Sequence, residues 1–143
     1  MNIPNIPDNS ITEEIKEIVA LCEELEAEYG EDASWFSDPV SETEIAKWEY
    51  ESKMIIPESY KEWLMFSNDS QILNNTARFF GLKMIGTYND DVPNDYVVIG
   101  ELIGDGELLC FSKTTNKIIR YNHGKSKECQ NFKEILNLIL NIV

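Results

Sequence analysis

Apolar and polar positions along the first third of the chain repeat with a helical period. Ile11, Ile15, Ile18, Cys22, Leu25 and Tyr29 recur at alternating steps of four and three, which places them on one face of a helix running from about Thr12 to Tyr29. Glu17, Glu23, Glu24, Glu26 and Glu28 occupy the rest of that helix; Ser10 or Thr12 can cap it, and Gly30 ends it. Residues 1–10 show no periodicity and carry Pro4 and Pro7, so they read as a loose arm. Glu31–Val40 reads as a loop whose adjacent aromatics, Trp35 and Phe36, either tuck it onto the core or anchor a partner. Ser41 and Glu44 have the spacing of a capping box that opens a second helix. Pro57 stands where a first helical residue is favoured, and a third helix is predicted from Glu58 to about Phe66, burying Tyr60, Trp63 and Leu64.

The period then changes. Gln71–Leu73 and Ala77–Leu82 read as short strands separated by Asn74-Asn75-Thr76. After a polar loop, Gly86–Asn94, come three runs rich in β-branched and aromatic residues: Tyr96–Ile103, Glu107–Ser112 and Lys117–Asn122. Gly104-Asp105-Gly106 and Lys113–Asn116 join them as the turns of an antiparallel meander. His123–Gln130 reads as a basic turn with Lys125 and Lys127. A last helix, from about Asn131 to Asn141, stripes its inner face with Phe132, Ile135, Leu136, Ile139 and Ile142. Helices, then strands, then a helix predict an α+β fold: N-terminal helices, a central antiparallel sheet of about four to five strands, and a C-terminal helix packed on it. A length of 143 residues fits one domain, 1–143.

Charge changes the functional picture. The net charge is −14, and it is uneven: residues 1–66 hold 17 acids and 4 bases, residues 67–143 hold 9 and 8. Such a chain repels nucleic acid, whose phosphates need cations to neutralise them, and attracts a basic protein. No apolar run approaches the length of a bilayer span, and the first ten residues lack the basic and apolar regions of a secretory signal. A cytoplasmic protein with no membrane partner is therefore expected.

Candidate chemistry is sparse. Cys22, Cys110 and Cys129 are odd in number and show no paired spacing, which argues against a disulfide framework or a zinc site. His123 is the sole histidine, so a nucleophilic pair would have to join it to Cys110; no third orienting residue stands nearby. Neither a Walker loop nor a dinucleotide fingerprint occurs, and no calcium loop has its closing glutamate. No cofactor, no metal and no enzymatic activity are expected. Asp90, Asp91, Asp95, Glu101, Asp105 and Glu107 stand out instead, six acids between Gly86 and Leu109 with no base among them.

Several stretches resemble the SUKH superfamily, the Smi/Knr-like group. Ser41–Glu49 followed by Ile55-Ile56-Pro57-Glu58-Ser59-Tyr60-Lys61-Glu62-Trp63-Leu64 resembles its opening signature. Phe79-Phe80-Gly81-Leu82 is similar to its next strand, and Val98-Ile99-Gly100 with Gly104–Phe111 to its hairpin. The resemblance covers about 40–143, leaving 11–30 as an additional acidic helix. The chain departs from the pattern at Asn68-Asp69-Ser70, where a Gly-Gly turn is usual, and at Ser112, where Asp is common. The resemblance implies a non-enzymatic binding domain. Bacterial members are mostly immunity proteins bound to a cognate toxin, often a nuclease, and fungal relatives regulate cell-wall assembly. Under that reading Asp90, Asp91, Asp95, Glu101, Asp105 and Glu107, with Trp35 and Phe36, are the expected contacts to a basic toxin, followed by the glutamate face of the first helix.

Overall fold

A computed structural model describes residues 1–102 and 106–142. Among these residues the elements run α1 (Thr12–Tyr29), a single 3-10 turn (Glu31–Ala33), β1 (Trp35–Phe36), α2 (Glu42–Ser52), α3 (Glu58–Leu64), β2 (Ser70–Ile72), β3 (Ala77–Phe79), β4 (Tyr96–Leu102), β5 (Glu107–Ser112), β6 (Ile118–Asn122), β7 (Lys125–Cys129) and α4 (Phe132–Ile142). The α+β architecture holds, with helices at both ends of the chain and an antiparallel sheet between. That sheet has more strands than expected: seven are described, ordered β1 to β7 as in the sequence. Trp35-Phe36 is not loop but a two-residue edge strand paired with Ser70 and Gln71. The basic segment after His123 is not merely a turn, because Lys125–Cys129 pairs with β6.

Local chemistry accounts for the helix ends. The capping box forms: the Ser41 hydroxyl accepts the Glu44 N–H at 3.1 Å, and Glu44 Oε1 accepts the Ser41 N–H at 3.1 Å. Asn131 caps α4 by accepting the Glu134 N–H at 3.0 Å. The start of α1 differs from expectation. Ile11 holds the cap position without a side-chain bond, because the Ser10 hydroxyl donates instead to Glu62 at 2.7 Å. Residues 1–9 form no regular element, yet Ile3 and Ile6 pack against the core.

One face of the sheet carries Phe36, Phe79, Phe111 and Ile118 toward the helices, as the register and the aromatic contacts show. Trp63 of α3 is the hub of that interface. Its ring lies 5.1 Å from Phe79, 5.3 Å from Phe66 and 5.7 Å from Phe132 of α4, mostly edge-on, the favoured aromatic geometry. Its indole N–H donates to Ser70 Oγ at 3.2 Å, so the buried polar atom is paired. Tyr60, one turn earlier and fully buried, donates its hydroxyl to the Phe80 carbonyl at 2.6 Å, with the Ile99 carbonyl 3.1 Å away. Burial pushes its ionisation well up, reinforced by the negative charge of Asp69.

Two glycines mark close backbone approaches. A Cβ at Gly100 would lie 2.4 Å from the Arg78 carbonyl, and one at Gly81 would lie 2.6 Å from Asn68. Gly100→Ala should therefore lower stability by about 1–3 kcal/mol through overpacking against backbone, measured by urea denaturation. Tyr60→Phe should cost about 1–2 kcal/mol by leaving the Phe80 carbonyl without its donor; an unchanged urea midpoint would contradict the role given to that hydroxyl.

Candidate functional site

The sheet face opposite Phe79 and Phe111 has two parts. At the β4–β7 end the sheet coils, and Tyr96 of β4 meets Tyr121 of β6 (5.9 Å between rings) and donates its hydroxyl to Ser126 of β7 at 2.8 Å. Val98, Cys110 and Ile119, cross-strand neighbours, are buried in that row.

At the β1–β3 end the outer face is laid out around Arg78. Its guanidinium donates two bonds to Asp69, at 3.1 and 3.0 Å, a bidentate pairing that fixes the group's plane. That plane lies 4.9 Å from the Trp35 ring and 5.7 Å from the Phe80 ring, within cation–π range. Tyr88, from the loop after β3, stands edge-on against Phe80 at 5.4 Å. Phe80 is buried, while Trp35 is 37% and Tyr88 50% exposed. The result is a continuous strip, Trp35–Arg78–Phe80–Tyr88, whose two ends are open to solvent.

The expected contact residues fall into distinct settings. Asp90 and Asp91 are exposed, directly after Tyr88 and Asn89. Asn89 anchors their loop, accepting the Val98 N–H at 3.5 Å and donating to the Gly86 carbonyl at 2.8 Å. Glu101 is half-buried, opposite Arg78 across β3 and β4. Asp95 is a structural clamp: it accepts from the Ser112 hydroxyl at 2.5 Å, the Thr114 hydroxyl at 2.6 Å and the Thr114 N–H at 3.0 Å. The Ser112 and Thr114 bonds hold its carboxyl below the usual range. Glu107 is buried and bound through both oxygens to Arg120, with one contact at 3.1 Å, and this bond raises the Arg120 ionisation. Phe36 packs inward against Phe66 and Trp63. Asp105 lies outside the described residues. The five described acids are thus not one surface: Glu101 lies across from Arg78, Asp90 and Asp91 follow Tyr88 in the chain, and Asp95 and Glu107 hold the fold. Arg78, Phe80 and Tyr88 escaped sequence reasoning; the strand alternation that puts Arg78 and Phe80 on one face was the available signal.

Cys110 and His123 are not brought together. Cys110 pairs with Ile119, four positions before His123, which is roughly 13 Å of extended strand. Burial pushes the Cys110 thiol up to about 12, the opposite of what a nucleophile needs. Among the described residues no cluster of His, Cys, Asp and Glu could hold a metal. An open groove of about 680 Å³ lies between α2 and the segment after β3, with Val40, Trp48 and Leu82 as its apolar lining and Glu44, Glu51, Lys47 and Lys83 among its polar residues. Its mixed charge selects no single ligand chemistry. No helix among the described residues is long and apolar enough to cross a membrane.

The chain is an α+β domain with helices at both ends of an antiparallel sheet, and its Trp35–Arg78–Phe80–Tyr88 strip is exposed at both ends. The model of the SMI1/KNR4 family (SUKH-1) matches residues 39–138, and the chain belongs to that family. No curated protein matches it.

The Asp95 clamp gives a pH signature. Its folded-state carboxyl ionises below the ordinary value of 3.8, so the stability it supplies is complete above that value and is lost as pH falls through the lowered one. Asp95→Asn should remove that component from a thermal-melt series run from neutral to strongly acidic pH. A variant with the same acid profile as the parent would show that the clamp carries none of it.

Proposed function

We propose that this chain is a non-enzymatic protein-binding domain that serves as an immunity protein, neutralising a cognate basic toxin by covering its working face. The observation that supports this reading is a one-sided surplus of unpaired acid. Glu17, Glu23, Glu24 and Glu28 on α1, and Glu31 and Asp32 in the following turn, are exposed and form no ion pair among the described residues. The lysines of the same half are mostly spent: Lys16, Lys47 and Lys61 each bridge a glutamate. At the opposite end of the sheet Lys125 and Lys127 lie exposed on β7. The unpaired acid is therefore concentrated on α1 and the turn after it.

A nuclease must hold phosphate and so presents a cationic face. An acidic partner is steered to that face and occupies it. Immunity by occupation needs no catalytic group in the inhibitor. The alternative inside the same family is a regulatory scaffold of the cell-wall assembly type, which binds an endogenous partner.

The test is a binding measurement with any basic toxin domain encoded next to the gene for this chain, at about 0.1 and about 0.5 M salt, where screening differs strongly. The expected result is tight binding that weakens about ten-fold or more at the higher salt. Tight binding indifferent to salt would keep immunity and discard the acidic surface. Absence of binding would favour the scaffold.

A further inference from the structure

We infer that the strip Trp35–Arg78–Phe80–Tyr88 is the anchor of the partner interface and that it receives a lysine- or arginine-bearing surface of a basic protein. This deepens the reading above and rests on it for the partner's charge. Three observations carry it.

The first is composition at the exposed ends. Tryptophan, tyrosine and arginine are the residues that concentrate binding energy at protein interfaces, and here they form one ladder on the sheet face opposite Phe79, with Trp35 and Tyr88 exposed at its ends. The second is rigidity. Trp35 is fixed by β1 pairing and Phe80 by its N–H bond to the Ile99 carbonyl at 2.7 Å. Arg78 is fixed by two bonds to Asp69, and a surface held in place before binding loses little freedom on binding.

The third is charge, and it decides the occupant. Arg78 is not available to bind an anion, because Asp69 engages it through both oxygens. Around it the free charges are mostly negative: Glu31 and Asp32 precede Trp35 in the chain, Asp90 and Asp91 follow Tyr88, and Glu101 lies across from Arg78, against one exposed lysine, Lys83, between Phe80 and Tyr88. A cationic side chain set against Trp35 or Tyr88 would meet a ring face with carboxylates at the rim, the arrangement that favours ammonium and guanidinium groups. An anionic or purely apolar partner would leave those carboxylates repelled or desolvated.

The experiment uses the full chain and two probes, a deca-arginine peptide and a deca-glutamate peptide, followed by two-dimensional amide and indole NMR. Expected are shifts centred on the Trp35 indole N–H, Arg78 and Tyr88 with the arginine peptide, and none with the glutamate peptide. Affinity should fall about ten-fold in Trp35→Ala and in Tyr88→Ala. It should be largely kept in Trp35→Phe and change less than about three-fold in the β7 variant Glu128→Gln, whose exposed carboxylate pairs with Lys117. Tyr88→Ala alters an exposed loop residue, so it stands as the test even if Trp35→Ala unfolds. Shifts confined to α1 and α2, or equal binding of both peptides, would overturn the anchor. Absence of shifts with the arginine peptide would overturn it as well. The salt-dependent binding of the neighbouring toxin domain is a separate measurement, so the immunity reading can survive the loss of this one or fail without it.

Discussion

Helix α3 is short, seven residues from Glu58 to Leu64, and too short to be stable alone. It holds because Trp63 and Tyr60 tie it to what surrounds it. Trp63 touches the sheet at Phe79 and α4 at Phe132, and Tyr60 hydrogen-bonds the backbone where β3 ends. Phe132 itself packs edge-on against Tyr60 and Phe79, both at 5.0 Å, and its N–H donates to Ser59 Oγ at 2.9 Å. The first residue of the last helix is thus positioned by residues some seventy places earlier in the chain. That aromatic junction is what closes α3 and the start of α4 onto the inner sheet face.

The same junction sets the outer face. Since Phe79 must point inward to reach Trp63, Arg78 and Phe80 point outward by strand alternation. Gly100 lets β4 approach Arg78 closely, and Asp69, just ahead of β2, then meets the guanidinium. Asn68 also accepts the Leu82 N–H at 3.0 Å and crowds Gly81. The departure from the family's usual turn at Asn68-Asp69-Ser70 is therefore functional in the fold, since each of its three residues has a named partner: Leu82, Arg78 and Trp63.

Much of this was legible in the sequence. The helix stripes, the capping box, the meander and the α+β order follow from periodicity and turn chemistry, except that the last stripe positions, Tyr29 and Ile142, are exposed at the helix ends; the family resemblance fell on residues that prove to be packing constraints, Tyr60, Trp63, Gly81 and Gly100. Two strands were not legible. A two-residue strand such as β1 has no period to detect, and β7, Lys-Ser-Lys-Glu-Cys, is a charged edge strand that lacks apolar alternation. The candidate site was only half legible for a related reason. Counting acids cannot tell a carboxylate that faces solvent, such as Asp90, from one already engaged, such as Asp95 or Glu107. Ion pairs and hydroxyl partners depend on which strands lie side by side.

The character of β7 bears on how this sheet meets other proteins. Its outer rim carries Lys125 and Lys127, and the far rim, β1, is only two residues long. Neither border offers the flat, uncharged length of backbone that invites another strand to add itself. Contacts with another chain would therefore fall to side chains on faces and loops, outside the hydrogen-bonded ladder. A lineage bearing this fold can change its choice of partner by exchanging such side chains one at a time, while the framework that presents them stays the same.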